Sequence, residues 1–237
     1  MKLKTYNSCG LCFLEVKNDL NFKAVFCNLG ASIFSIVFDD KFMTRNAKKI
    51  SDFKCPNLYH GKTIGRTSNR INGHKIVVDN LEYDLSVNEG ENVLHGGKEG
   101  LSTKIFSSTI NYFADRIEID YRYLSKHLDS GYPGNVDILV RYVVYANENT
   151  LEVRYFASSD MDTPLSLTNH SYFTLGDNDL SSLQLQISSS RFLYVSPENL
   201  IAKYVAKITP CPPEPVNLNS SLILFFIYFS ITLSIIF

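Results

Sequence analysis

The sequence predicts an all-β protein, a sandwich or a barrel, and three observations carry that expectation. Apolar and polar residues alternate with a period of two along much of the chain. Turn-forming residues interrupt the apolar runs at short intervals. No amphipathic pattern long enough for a substantial helix is present. The residue stock agrees: 14 Tyr and 16 Phe, with no Trp, suit pleated surfaces.

The elements follow in chain order. FKAVFCNLGASIFSIVF, from Phe22 to Phe38, reads as two apolar strands broken by a turn at Asn28-Leu29-Gly30. KIVV and LEYDL flank Asp79-Asn80, a tight hairpin turn. In RIEIDYRY, Ile117, Ile119, Tyr121 and Tyr123 share one face, with Arg116, Glu118, Asp120 and Arg122 on the other, as in a half-buried strand. VDILVRYVVY runs to a turn at Asn147-Glu148-Asn149, and in LEVRYF residues Leu151, Val153 and Tyr155 alternate against Glu152 and Arg154. Pro210, Pro212, Pro213 and Pro215 end any regular element, which divides the chain into a β-rich part over 1–209 and a Pro-rich break with an apolar tail over 210–237.

Composition narrows the function classes. A chain of 237 residues can form one large domain with a sizeable core. Its net charge of -1 gives no long-range pull toward nucleic acid. Five cysteines at irregular spacing are no disulfide framework, and the N-terminal stretch lacks the apolar core of a secretory signal, so the expected setting is reducing and cytoplasmic. Cys9-x-x-Cys12 has no second ligand pair, so no metal is expected. From Val216 onward no residue is charged. The run Leu222–Phe237 would span about 24 Å as a helix, short of a roughly 30 Å hydrocarbon core. A hydrophobic remnant outside the fold is the expectation here, and a C-terminal membrane anchor is the alternative.

Three polar segments interrupt the strand pattern. In Gly65–Gly73, glycines bracket Arg66, Arg70 and Asn69; this is either a solvated loop or a donor-rich loop suited to a ligand covered in hydroxyls. In Asn92–Gly97, His95 precedes two glycines that let the backbone approach a ligand; the competing reading is a structural histidine. In Leu167–Phe173, His170 lies between apolar residues and an aromatic pair, where imidazole can serve as a general acid near neutral pH or simply end a strand. Asn169-His170-Ser171 also matches a glycosylation sequon, set aside without a secretory signal. His60, His74 and His127 lie in polar contexts and read as exposed.

Taken together, these segments resemble the aldose 1-epimerase (galactose mutarotase) family. GRTSNRING, ENVLHGG, SGYPGNVDILVRYVV and LTNHSYFTLGD match its motifs in order and spacing, with Thr174 where the family usually has Asn. The resemblance covers roughly residues 10 to 208. It implies a large antiparallel β-sandwich of the galactose mutarotase-like supersandwich type, incomplete here at the C-terminus. It implies an isomerase that interconverts the α and β anomers of free hexoses such as galactose and glucose, without cofactor or metal. By the same resemblance His170 is the general acid, His95 supports it, and Asn69, Arg70, His95, Ser171 and Tyr172 bind the substrate. All of these are expected to converge on one concave pocket.

The family's catalytic base is a glutamate nearer the C-terminus, and neither Glu198 nor Glu214 stands in a matching context, so no base is carried over. A non-catalytic carbohydrate-binding remnant and a tail-anchored membrane protein are the competing readings. The expected partner is a free hexose; a membrane partner follows only if the tail is an anchor.

Overall fold

The computed structural model describes residues 1–177 in full and, as backbone strands, 191–195, 202–207 and 233–236. The Pro-rich break, the boundary at 209/210, most of the apolar tail, Glu198 and Glu214 lie outside the described residues.

Two five-stranded antiparallel sheets carry the fold. The first is a meander of β1 (Lys2–Ser8), β2 (Leu11–Lys17), β3 (Phe22–Cys27), β4 (Ser32–Phe38) and β5 (Lys41–Phe42). The second orders β11 (Ser107–Tyr112), β12 (Arg116–Ser125), β13 (Val136–Tyr145), β14 (Thr150–Ser159) and β18 (Leu233–Ile236). Leu233–Ile236, at the end of the apolar tail, pairs antiparallel with Thr150–Val153 at the edge of that sheet. The sheets face each other across one core, where Val16, Phe22, Phe26 and Ile36 meet Ile119, Tyr121, Val140 and Tyr142. Removing each such large side chain from water contributes about 1.5–3 kcal/mol. The Tyr142 hydroxyl donates to the Ala31 carbonyl at 2.5 Å, so this tyrosine is partnered as well as packed.

The alternation read from the sequence maps onto burial. Ile117, Ile119 and Tyr121 are buried and Tyr123 is half-buried. Leu151 and Val153 are buried beside half-buried Glu152 and Arg154. Glu118 departs from the pattern, being buried on the polar face. Arg116 and Arg141 hold its carboxylate at 2.8 and 3.1 Å, and Arg141 also grips Asp120 at 2.6 Å. A buried carboxylate is tolerable when it is paired in this way.

The first sheet is covered on both faces, which explains why β3 has almost no polar positions. Behind it Leu11, Phe13, Val25 and Cys27 form a second core with Phe53, which belongs to the one-turn helix α1 (Ile50–Phe53).

Short ladders complete the described strands. β6 (Thr63–Ile64) pairs with β15 (Thr168–Asn169), β7 (Arg70–Ile71) with β10 (Val93–Leu94), and β8 (Lys75–Val78) with β9 (Leu81–Asp84). The last pair turns at Asp79 and Asn80, both with positive φ (50° and 63°), as a type I′ hairpin requires. β16 (Arg191–Val195) and β17 (Ala202–Lys207) form a further antiparallel pair.

Candidate functional site

The two-residue ladders bring distant segments together. His170 follows β15; its N–H donates to the Lys62 carbonyl and its carbonyl accepts the Gly61 N–H, both at 2.9 Å. His95 follows β10; its N–H donates to the Asn69 carbonyl at 3.0 Å, and the Asn69 N–H donates back to His95 Nδ1 at 3.1 Å. The two imidazoles end with ring centroids 5.1 Å apart, edge to face.

The crossing of these segments constrains the backbone. Asn69 (φ 63°) and His95 (φ 56°) both occupy the left-handed region, which non-glycine residues adopt only when their surroundings hold them there. Gly96 must be glycine: its φ is +86°, and a Cβ would lie 1.8 Å from the Gly65 carbonyl oxygen.

An aromatic wall surrounds the imidazoles. Tyr59 meets His95 edge-on at 4.8 Å and lies nearly parallel to His170 at 5.6 Å. Tyr172 is 5.0 Å from His170 on another side, and His60 closes against Tyr172 at 4.8 Å. The sequence carries no signal for Tyr59, and for His60 only a polar context that reads as exposed. The expectation that His60 is exposed is incorrect: it is half-buried, its Nδ1 is enclosed, and burial with the nearby Arg45 and Lys62 charges lowers its pKa. His74 and His127 are exposed, as read.

Because His95 Nδ1 accepts the Asn69 N–H, the neutral ring carries its proton on Nε2 and presents a donor there. Burial, with the neighbouring His170 and Arg70, pushes the His95 pKa down to about 3, so the ring is neutral at physiological pH. Burial also lowers His170, opposed by a hydrogen bond to its own backbone and reinforced by His60.

The remaining candidates lie around this pair. Arg70 stands opposite Leu94 in the β7–β10 ladder and forms a two-pronged ion pair with Glu89. Ser171 donates to Asn169 Oδ1 at 2.6 Å in a local turn and keeps acceptor lone pairs for a ligand. Asn69, Arg70, His95, His170, Ser171 and Tyr172 are thus brought near one another by these ladders and ring contacts. Arg66, the other arginine of the loop, is taken up by the fold: its guanidinium points inward and bonds Ser125, Lys126, Pro133, Gly134 and Thr163. A small cavity beside Arg66, lined also by Gly96, Asp129, Ser130 and Tyr132, includes neither imidazole. Among the described residues no cluster of His, Cys, Asp and Glu is arranged to hold a metal.

Comparison with known proteins bears on the family and the fold. The family model for aldose 1-epimerase matches residues 13–215. A galactose mutarotase from Sus scrofa is 35% identical over 146 residues, covering 60% of this chain and 41% of that protein. An aldose 1-epimerase from Haemophilus influenzae is 30% identical over 156 residues, covering 64% and 44%. The solved structure of a galactose 1-epimerase from Lactobacillus acidophilus superposes with a TM-score of 0.78 at 26% identity, covering 87% of this chain and 63% of that one. An aldose epimerase homologue from C. elegans gives 0.75 at 25% identity, covering 83% and 61%. The matched part is therefore less than two thirds of these relatives' own length.

Proposed function

The chain belongs to the aldose 1-epimerase family, and from that premise we propose that its site binds free hexoses such as galactose and glucose and serves the interconversion of their α and β anomers. The observation that carries this reading is the pair of imidazoles 5.1 Å apart, walled by Tyr59 and Tyr172 and flanked by Arg70. Aromatic faces pack against the C–H side of a pyranose, while Arg70, Asn69 and Ser171 meet its hydroxyls.

In the proposed chemistry, a base takes the proton of the anomeric hydroxyl as an acid protonates the ring oxygen. The ring C–O bond breaks, the aldehyde end rotates, and the ring recloses on its other face. His170 is the acid, and His95 donates its Nε2–H to the same region of the sugar. Burial and His60 lower the His170 pKa, and a carboxylate facing the ring would oppose that shift. We assign no base within the described residues; a carboxylate facing the pair would both take the anomeric proton and raise His170. The neutral His95 ring, a hydrogen-bond donor that does not titrate near neutral pH, also suits a second reading, carbohydrate binding without turnover. Four free thiols among the described residues suit a reducing, cytosolic setting. No described helix is long and apolar enough to cross a membrane.

The test is polarimetry on freshly dissolved α-D-galactose, with NMR titration of the same sugar. We expect binding; where no carboxylate faces the pair, one member of the acid–base pair is absent and acceleration falls by about 10² to 10⁴. Acceleration that disappears in His170→Ala supports turnover. Binding without acceleration supports the second reading, and loss of both in the unmodified chain sinks the assignment.

A further inference from the structure

We propose that Glu89 is a positioning residue for hexose recognition, holding the Arg70 guanidinium in the orientation from which it meets the sugar; this rests on the sugar-binding reading above. Glu89 Oε2 and Oε1 accept from Arg70 Nε and Nη2 at 2.5 and 2.8 Å, a fork that fixes the guanidinium plane. Nη1 takes no part in this fork. An arginine already clamped in this way loses less rotamer freedom when a ligand arrives.

The loop that carries Glu89 is fastened independently of its carboxylate. The Glu89 N–H donates to the Asn92 carbonyl and the Asn92 N–H donates back to the Glu89 carbonyl, at 3.2 and 2.9 Å. Asn88 brackets Leu94, donating to its carbonyl and accepting its N–H at 2.9 and 2.7 Å. Asn92 Oδ1 accepts the Gly73 N–H at 3.0 Å. These bonds fasten the loop without using the Glu89 side chain, so the carboxylate is not needed as a staple. A partly exposed ion pair, with side-chain exposures of 16% for Arg70 and 38% for Glu89, also contributes little to stability. What remains is its place at the edge of the imidazole cluster. The Arg70 charge bears on His95, and the Glu89 charge bears on Tyr59, the ring that contacts both histidines.

The test is a double-mutant cycle on the full chain, with D-galactose affinity read by NMR titration. Glu89→Ala and Arg70→Ala are each expected to weaken binding by about tenfold, and the double variant to be no weaker than Arg70→Ala alone. Glu89→Gln, which keeps the shape of the loop, should fall between the unmodified chain and Glu89→Ala and guards against a folding defect. The Arg70 Nε–H resonance should exchange slowly with solvent and lose that protection in Glu89→Gln. If Glu89→Ala weakens binding as much in the Arg70→Ala background, Glu89 contacts sugar directly and the positioning role is overturned. If both Glu89 variants bind like the unmodified chain while His170→Ala does not, only this inference fails. If the unmodified chain does not bind galactose, the inference and the proposed function fall together.

Discussion

Lys62 and Arg66 flank β6, both out of water, with 0% and 2% of their surface exposed, and the fold treats them in opposite ways. Arg66 reaches toward the second sheet and finds acceptors on every side: the carbonyls of Ser125, Lys126, Pro133 and Gly134 and the hydroxyls of Ser125 and Thr163. Lys62 points the other way, into the second core. It finds the Cys55 carbonyl at 3.3 Å and the face of Phe53 at 4.9 Å. Burial alone does not decide what a cation does for a fold; the number and geometry of its acceptors do. Arg66 sews the turn before β13 to the loop that carries Asn69 and Arg70, whereas Lys62 sits in an apolar pocket that tolerates it.

The sharpest way to break this contrast is Arg66→Ala. It strands several buried carbonyls, so we expect a loss of about 3–5 kcal/mol, read by urea unfolding. Arg66→Lys should recover little, because one ammonium cannot fork toward acceptors spread around a planar group. If Arg66→Ala changes stability by less than about 1 kcal/mol, the acceptor-count argument is wrong.

The sequence revealed one side of this contrast and hid the other. Strands and hairpins were legible because alternation and turn chemistry are local: Asp79-Asn80 turns where its residue types demand, and Ile117, Ile119 and Tyr121 face inward together. Arg66 and Arg70 were indistinguishable as sequence, since their fates depend on Ser125–Gly134 in one case and on Glu89 in the other. His95 and His170 were visible through motifs. Tyr59, His60 and Glu89 were not, because two-residue ladders carry no periodic signal and bring these side chains in from a distance. Glu118 misled for a related reason, since its burial depends on Arg141 of the neighbouring strand.

A smaller effect of opposite sign is expected at Lys62. Lys62→Met keeps the length of the side chain, removes the charge and leaves one carbonyl to relax. We expect about 1–3 kcal/mol of stabilisation at neutral pH, measured in the same urea series. A loss of stability on this substitution would mean that the Cys55 carbonyl and the Phe53 ring compensate the buried ammonium in full.

The finest test of the contrast is the pH dependence that Lys62 imparts. Burial pushes its pKa down to about 8 from an ordinary value of 10.5. Between these values the unfolded chain holds the proton and the folded chain has released it, so the unfolded state binds more protons and stability rises with pH. Below about 8 both states are charged and the penalty is fully present. Cys27, in the same core, works the other way: burial raises its thiol from 9.0 to about 12, so the unfolded state ionises first and stability falls as pH climbs through that range. The raw curve mixes both slopes, and the difference between the unmodified chain and Lys62→Met isolates the lysine. That difference should shrink steadily from pH 8 to 10.5, as the unmodified chain sheds its buried charge and approaches the variant. A difference that stays flat across this interval would mean that Lys62 keeps an ordinary pKa despite its burial, and that its pocket is as well provided with acceptors as the one around Arg66.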